Sequence, residues 1–157
     1  MKILITGGCG FKGSVLIPEL LKDGHEIISV DNQWFGNNLP HHPNLKNIKM
    51  DVRKVNDISL DNVEVIIHLA NIANDPAVEL NPELSWEVNV LASQQLAYKA
   101  SEAGVKQFIY ASSGSVYGVK EEEHVTEELS LLPISIYNKT TFPEFIEYTS
   151  AVFVPSG

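Results

Sequence analysis

The sequence predicts an α/β fold: a parallel sheet wound on both faces by helices. Short apolar runs alternate along the chain with longer segments of helical period, as strands buried on both faces and their crossover helices do. The first apolar run leads directly into a glycine-rich turn, and no Pro/Gly/Ser-rich linker or internal repeat interrupts the alternation.

The elements follow in order. Lys2–Thr6 is the first strand. Helical spacing then runs through Phe11, Val15, Leu16, Leu20 and Leu21 and stops at Gly24, a good residue just past a helix end. Pro18 falls inside this helix, where it removes a hydrogen bond and is expected to bend it. Strands are predicted at Glu26–Asp31, Lys46–Met50 and Glu64–Ala70. The strongest helix spans Asn81 to Ala103: Asn81 is placed to cap it, Pro82 suits its first position, and Trp86, Val90, Leu96 and Ala100 recur at helical spacing. A fifth strand, Gln107–Ala111, ends in a Ser/Gly-rich turn. Five strands with right-handed crossovers make most of a doubly wound sheet, Rossmann-type and incomplete at its C-terminal side.

Composition bounds the function. The 157 residues are 44% apolar and 20% charged, enough for one domain with a real core. A net charge of −9 argues against nucleic acid as a partner. The lone Cys9 leaves no disulfide framework, and the apolar run after Met1-Lys2 is too short for a signal peptide. No stretch approaches the ~20 apolar residues of a membrane span. A cytoplasmic protein without membrane contact is expected.

Between the first strand and helix lies Gly7-Gly8-Cys9-Gly10-Phe11-Lys12-Gly13, with glycines in register either as 7, 10 and 13 or as 8, 10 and 13. Either way the turn lets backbone approach a pyrophosphate, and the helix N-terminus supplies amide donors and partial positive charge. Asp31 ends the second strand, about 20 residues beyond this loop, where its carboxylate accepts ribose hydroxyls and repels a 2′-phosphate. No arginine adjoins Asp31 in sequence to offset that repulsion, so NAD is predicted over NADP. Asp51, after the third strand, is a candidate acceptor for the adenine amino group, and Trp34 and Phe35 are candidates either to wall the adenine site or to serve oligomer contacts. His41-His42 reads as a loop pair, since adjacent side chains diverge and no third ligand is spaced to complete a metal site; no metal is predicted. His68 reads as a packed, hydrogen-bonded residue, Cys9 as a small loop residue at a helix N-terminus, and Glu121–Glu123 as a solvated face.

Taken together, the glycine loop, Val30-Asp31-Asn32, Asp51-Val52, His68-Leu69-Ala70, Asn89-Val90, Ser112–Gly118 and Tyr137-Asn138-Lys139 resemble the extended short-chain dehydrogenases, in particular the NAD-dependent epimerases and dehydratases acting on nucleotide sugars. The resemblance covers residues 1 to about 140. It implies that Gly7, Gly10, Phe11 and Gly13 hold the pyrophosphate and that Asp31 and Asn32 hold the adenosine ribose. It further implies that Asp51 and Val52 touch adenine, that Leu69, Ala70, Asn89 and Ser112 serve the cofactor, and that Ser113 and Tyr137 face the nicotinamide as the acid–base pair. The chain departs from this family where a lysine should follow the tyrosine by four residues: the position is Thr141, and Lys139 lies on another helix face. A tyrosine near pKa 10 needs a neighbouring cation to act as a base at neutral pH. Gly114-Ser115 stands where dehydratases of the family carry an Asp-Glu pair, which leaves epimerase or dehydrogenase chemistry.

These readings divide the chain into an NAD-binding domain at 1–140 and an atypical tail at 141–157, with no substrate domain; a fragment or a frameshift product would account for the tail and Thr141 together. The expected function is the NAD-binding part of a nucleotide-sugar epimerase-like oxidoreductase, an isomerase by its family, with a nucleotide sugar as substrate of the full enzyme. The alternative is a non-catalytic dinucleotide-binding sensor or scaffold. With a sheet ending at its fifth strand, an edge would stay unpaired, and the apolar tail residues Phe142, Phe145, Ile146, Val152, Phe153 and Val154 would seek cover in a homo-oligomer, either a dimer through the 81–103 helix or a swapped tail.

Overall fold

A computed structural model describes residues 1–121 and 124–141 and the backbone of 151–156. The strands are β1 (Lys2–Thr6), β2 (Glu26–Asp31), β3 (Leu45–Lys49), β4 (Val65–His68), β5 (Gln107–Ser113) and β6 (Ala151–Ser156). They form one all-parallel sheet in the order β3-β2-β1-β4-β5-β6. The chain therefore starts in the middle, winds out to one edge, returns past β1 and winds to the other, which is the doubly wound arrangement.

Alternation along each strand separates the two faces. Leu4, Val30, Ile66, Phe108 and Tyr110 point into one core, against Leu96, Ala97 and Ala100. Ile3, Ile5, Ile27 and Val65 point into the other, against Ile17 and Leu21 of α1 (Phe11–Lys22). Coverage is uneven: Ile66 and Phe108 are fully buried, whereas Ile67 and Ile109 on the α1 face are only half-buried.

The glycine loop opens α1 as predicted, and the helix runs through Pro18 to Asp23 and Gly24. Its buried stripe is Gly13, Ile17 and Leu21, while Phe11 and Val15, expected inward from their spacing, are exposed. A short helix absent from the sequence reading, α2 (Asp75–Leu80), is capped by Asn74, whose side chain accepts from the Ala77 N–H. The predicted 81–103 helix spans the expected residues, but not as one regular helix. It is α3 (Pro82–Ser85), capped by Asn81, then a π-helical stretch over Trp86–Ala92, then α4 (Ser93–Glu102), ending at Gly104. A further helix, α5 (Ile136–Thr140), carries Tyr137.

The fifth strand's outer edge is not left unpaired. β6 pairs with β5 from Phe108 opposite Ala151 to Ser113 opposite Ser156, so Val152, Phe153 and Val154 of the tail are a sheet strand, and the sheet runs past residue 140. Phe142, Phe145 and Ile146 lie outside the described residues.

Candidate functional site

The carboxyl ends of the parallel strands gather the candidate site residues. At the end of β1, Gly7 has φ +71°, donates its N–H to Val30 O at 2.8 Å and accepts from the Gly10 N–H at 3.1 Å. A side chain here would stand 2.6 Å from the Ala70 nitrogen, so both conformation and space demand glycine. Gly13 packs its α-carbon against the Gly8 backbone and brings α1 close to the sheet. A side chain on Gly10 would meet only Gly7 O, at 3.2 Å, and otherwise open space. The 7-10-13 register thus contains the turn, an open cradle and the helix contact, while Gly8 is the packing partner of Gly13.

Asp31, at the end of β2, is tied to this loop. Its Oδ2 accepts the Cys9 N–H at 3.0 Å and its Oδ1 accepts the Gln33 N–H at 2.6 Å. Each oxygen keeps a lone pair for a ligand. Asn32 Oδ1 accepts the Trp34 N–H at 3.1 Å. Past β3, the Asp51 carboxylate takes the Arg53 N–H at 2.9 Å and the Arg53 fork through Nε at 3.1 Å and Nη2 at 2.6 Å. Those side-chain hydrogen bonds hold Asp51 below the usual carboxylate range, so it is an acceptor only. Burial pushes the Cys9 thiol up rather than down, which keeps it an inert loop residue.

Gly7, Gly10, Asp31, Asn32, Asp51, Val52, Leu69 and Ala70 line one cavity of about 130 Å³, with Trp34 and Phe35 at its mouth, 60% and 86% exposed. Sequence reasoning missed further lining residues. Arg53 stands two residues past Asp51 and bonds its carboxylate; Asn71, Ile72, Leu84 and Val88 carried no signal of their own. Among the described residues, Asn71 Oδ1 is buried without a hydrogen-bond partner.

Phe11 and Gly13 stand apart from the cavity lining, Phe11 exposed and Gly13 in the helix contact. A second group lies at the end of β5. Ser113, buried, shares a 2.8 Å hydrogen bond with the Ser115 hydroxyl, and Ser112 Oγ donates to Thr141 O at 2.8 Å. Tyr137 is half-buried at the start of α5, which packs against the turn Gly114–Tyr117. Thr141 is fully buried, with Oγ1 donating to Tyr137 O at 3.0 Å, while Lys139 is exposed. Asn89 joins the two groups. Its Oδ1 accepts the Ile72 N–H at 2.7 Å, and its Nδ2 donates to Ile72 O at 3.2 Å and Thr140 Oγ1 at 3.1 Å. Beneath them, His68 bonds Thr6 Oγ1 at 2.6 Å and Ser93 Oγ at 2.7 Å, and burial lowers its pKa to about 4.

Strand order and glycine cradle define a Rossmann-type α/β dinucleotide fold. The model of the NAD dependent epimerase/dehydratase family matches residues 3–151, and the chain belongs to that family. It is similar to the UDP-glucose 4-epimerase of Mycolicibacterium smegmatis, 33% identical over 87% of this chain and 47% of the relative. It is 37% identical to an uncharacterized UDP-glucose epimerase of Bacillus subtilis over 89% of this chain and 48% of that one. The crystal structure of the Thermotoga maritima UDP-glucose 4-epimerase with UDP-glucose superposes with a TM-score of 0.86 at 29% identity, covering 99% of this chain and 55% of that one. A Bordetella bronchiseptica enzyme solved with NAD and UDP gives 0.84 at 29% identity, covering 98% and 52%. The chain spans about half the length of the curated relatives it matches.

Proposed function

We propose that this chain binds NAD across the carboxyl ends of its strands, as the cofactor-binding part of a nucleotide-sugar epimerase-like oxidoreductase. The observation that carries the reading is the single cavity joining the open Gly7–Gly10 cradle to the Asp31 carboxylate. The residues fit the group: backbone amides and an α1 N-terminus for a pyrophosphate, an acidic acceptor for ribose hydroxyls, and the orphaned Asn71 Oδ1 for a further donor. Strand order sets the direction. The ends of β1, β2 and β3 stand in a row, so phosphates, ribose and adenine fall to the glycine loop, Asp31 and Asp51-Val52 in turn. Nicotinamide then extends the other way, past Leu69 and Ala70 toward Ser113 and Tyr137. NAD, when bound, supplies a hydride acceptor there. Ser113 and Tyr137 hold and move the proton of a substrate hydroxyl, Asn89 holds α5 in place through Thr140, and Ser112 anchors Thr141 O. The substrate class is a nucleotide sugar, and the protein works in the cytoplasm as a homo-oligomer.

Calorimetric titration tests the cofactor: NAD binds more tightly than NADP, and Asp31→Ala removes the preference. Equal affinity of the unsubstituted chain for both would overturn the assignment of Asp31.

A second reading, a non-catalytic dinucleotide sensor, is favoured by one observation. Thr141 is buried with its hydroxyl on Tyr137 O, so no cation occupies the position from which the family's lysine serves the tyrosine. A hydride-transfer assay on a panel of nucleotide sugars separates the two readings. Turnover abolished by Tyr137→Phe excludes the sensor; NAD binding without turnover supports it.

A further inference from the structure

Arg53 stands at the outer end of the cavity and also lines the neighbouring surface depression with Glu87 and Leu91. Its guanidinium is used at both ends. Nε and Nη2 grip the Asp51 carboxylate, and Nη1 reaches Glu87 Oε2 at 2.5 Å. Glu87 belongs to the π-helical stretch Trp86–Ala92, and the residue after it, Val88, lines the same cavity as Arg53. Arg53 therefore bridges the loop after β3 to the helical wall facing it. Without it, Asp51 would keep only the backbone N–H of residue 53 to fix its rotamer. The three side chains are 28–42% exposed, and ion pairs so placed add little to folding stability. What the brace supplies is orientation: a planar fork holds a planar carboxylate in one plane, with its remaining lone pairs turned to fixed directions.

We propose that Arg53, anchored by Glu87, is a positioning residue that holds Asp51 as an acceptor wall of the base pocket and so makes the site select a base bearing an exocyclic amino group. The inference rests on the NAD reading above, which places the base beside Asp51. An ionised carboxylate offers no donor, so a base presenting a carbonyl at that edge leaves two acceptors facing each other. Discrimination of this kind requires that the carboxylate be unable to swing away, which is what the Arg53 fork prevents.

The test is titration of the whole chain with NAD and with nicotinamide hypoxanthine dinucleotide, in which the adenine amino group is replaced by oxygen. The unsubstituted chain should prefer NAD by roughly tenfold or more, the worth of an acceptor left facing an acceptor once the bound base covers it. Arg53→Met should reduce the ratio to about twofold with little change in Tm, and Arg53→Lys, a point charge without a fork, should fall between. If Arg53→Met fails to fold by circular dichroism, Glu87→Gln, which loosens only the outer anchor, should still lower the ratio severalfold. A folded Arg53→Met, or in its place Glu87→Gln, that keeps the full preference overturns the inference, as does an equal loss of affinity for both dinucleotides. An unsubstituted chain that binds both equally overturns it while leaving the NAD reading standing. A chain that binds neither overturns the NAD reading, and this inference with it.

Discussion

The carboxylate of Asp31 accepts the backbone N–H of Cys9 at 3.0 Å, which fixes the end of β2 to the middle of the glycine loop. On the proposed reading, one side chain thereby both shapes the phosphate cradle and presents the ribose acceptor. Asp31→Asn separates these roles. The amide oxygen still accepts one N–H, but its NH2 group faces the other, and one donor is orphaned at a cost of about 1–3 kcal/mol. The expected outcome is a Tm lowered by several degrees, NAD affinity reduced and the preference over NADP lost. Unchanged discrimination in a folded Asp31→Asn protein would mean that the negative charge is not what reads the ribose.

The glycines should fail in two different ways. Gly10→Ala puts a methyl group into the open cradle and touches only Gly7 O, so thermal unfolding should hardly change while NAD binding is lost. Gly7→Ala must place its methyl group against the Ala70 nitrogen from a positive φ, and Gly13→Ala must push α1 off Gly8. Both should cost upward of about 1–3 kcal/mol of stability. Melting curves beside NAD titrations for the three variants would show the split, and a destabilised Gly10→Ala would contradict it.

His68 makes stability depend on acid. Buried and bonded to two hydroxyls, it has a pKa of about 4 in the folded chain, against about 6.5 when unfolded. Above pH 6.5 both states are neutral and the stabilisation is fully present. As pH falls below that value the unfolded chain takes up a proton and the folded chain does not, so stability is lost progressively down to about pH 4, by roughly 3 kcal/mol in all. Proton NMR checks the cause directly: the His68 ring signals should not titrate between pH 7 and 5, and a midpoint near 6.5 in the native protein would remove this account.

What the sequence made legible was local. The unbroken apolar run Ile3, Leu4 and Ile5 announced a strand buried on both faces, and Asn81-Pro82 announced a helix start. The choice between glycine registers stayed open, because it depends on the φ of Gly7 and on Ala70, more than sixty residues away. The tail strand β6 is not legible as the partner of β5, because β5 is some forty residues upstream and no local pattern points to it; the sequence shows only apolar residues that need cover. The Arg53–Glu87 bridge spans 34 residues and is invisible for the same reason. The π-helical stretch carries no local signal either; it contains Asn89, whose partners Ile72 and Thr140 are 17 and 51 residues away.

Asn89 is 1% exposed, its oxygen is taken by Ile72 and its nitrogen is shared by Ile72 and Thr140, so the loop lining the cavity and the helix bearing Tyr137 meet at one amide. Thr140 Oγ1 in turn donates to Tyr137 O at 3.0 Å. Thr140→Val removes one arm and should cost about 1 kcal/mol, whereas Asn89→Ala orphans buried backbone groups and should cost about 3 kcal/mol. If the two side chains act through each other, the double variant loses less than the sum, by about 1 kcal/mol, in denaturant unfolding. Strict additivity would show that the cavity loop and the tyrosine helix are held independently, and that Asn89 does not link them.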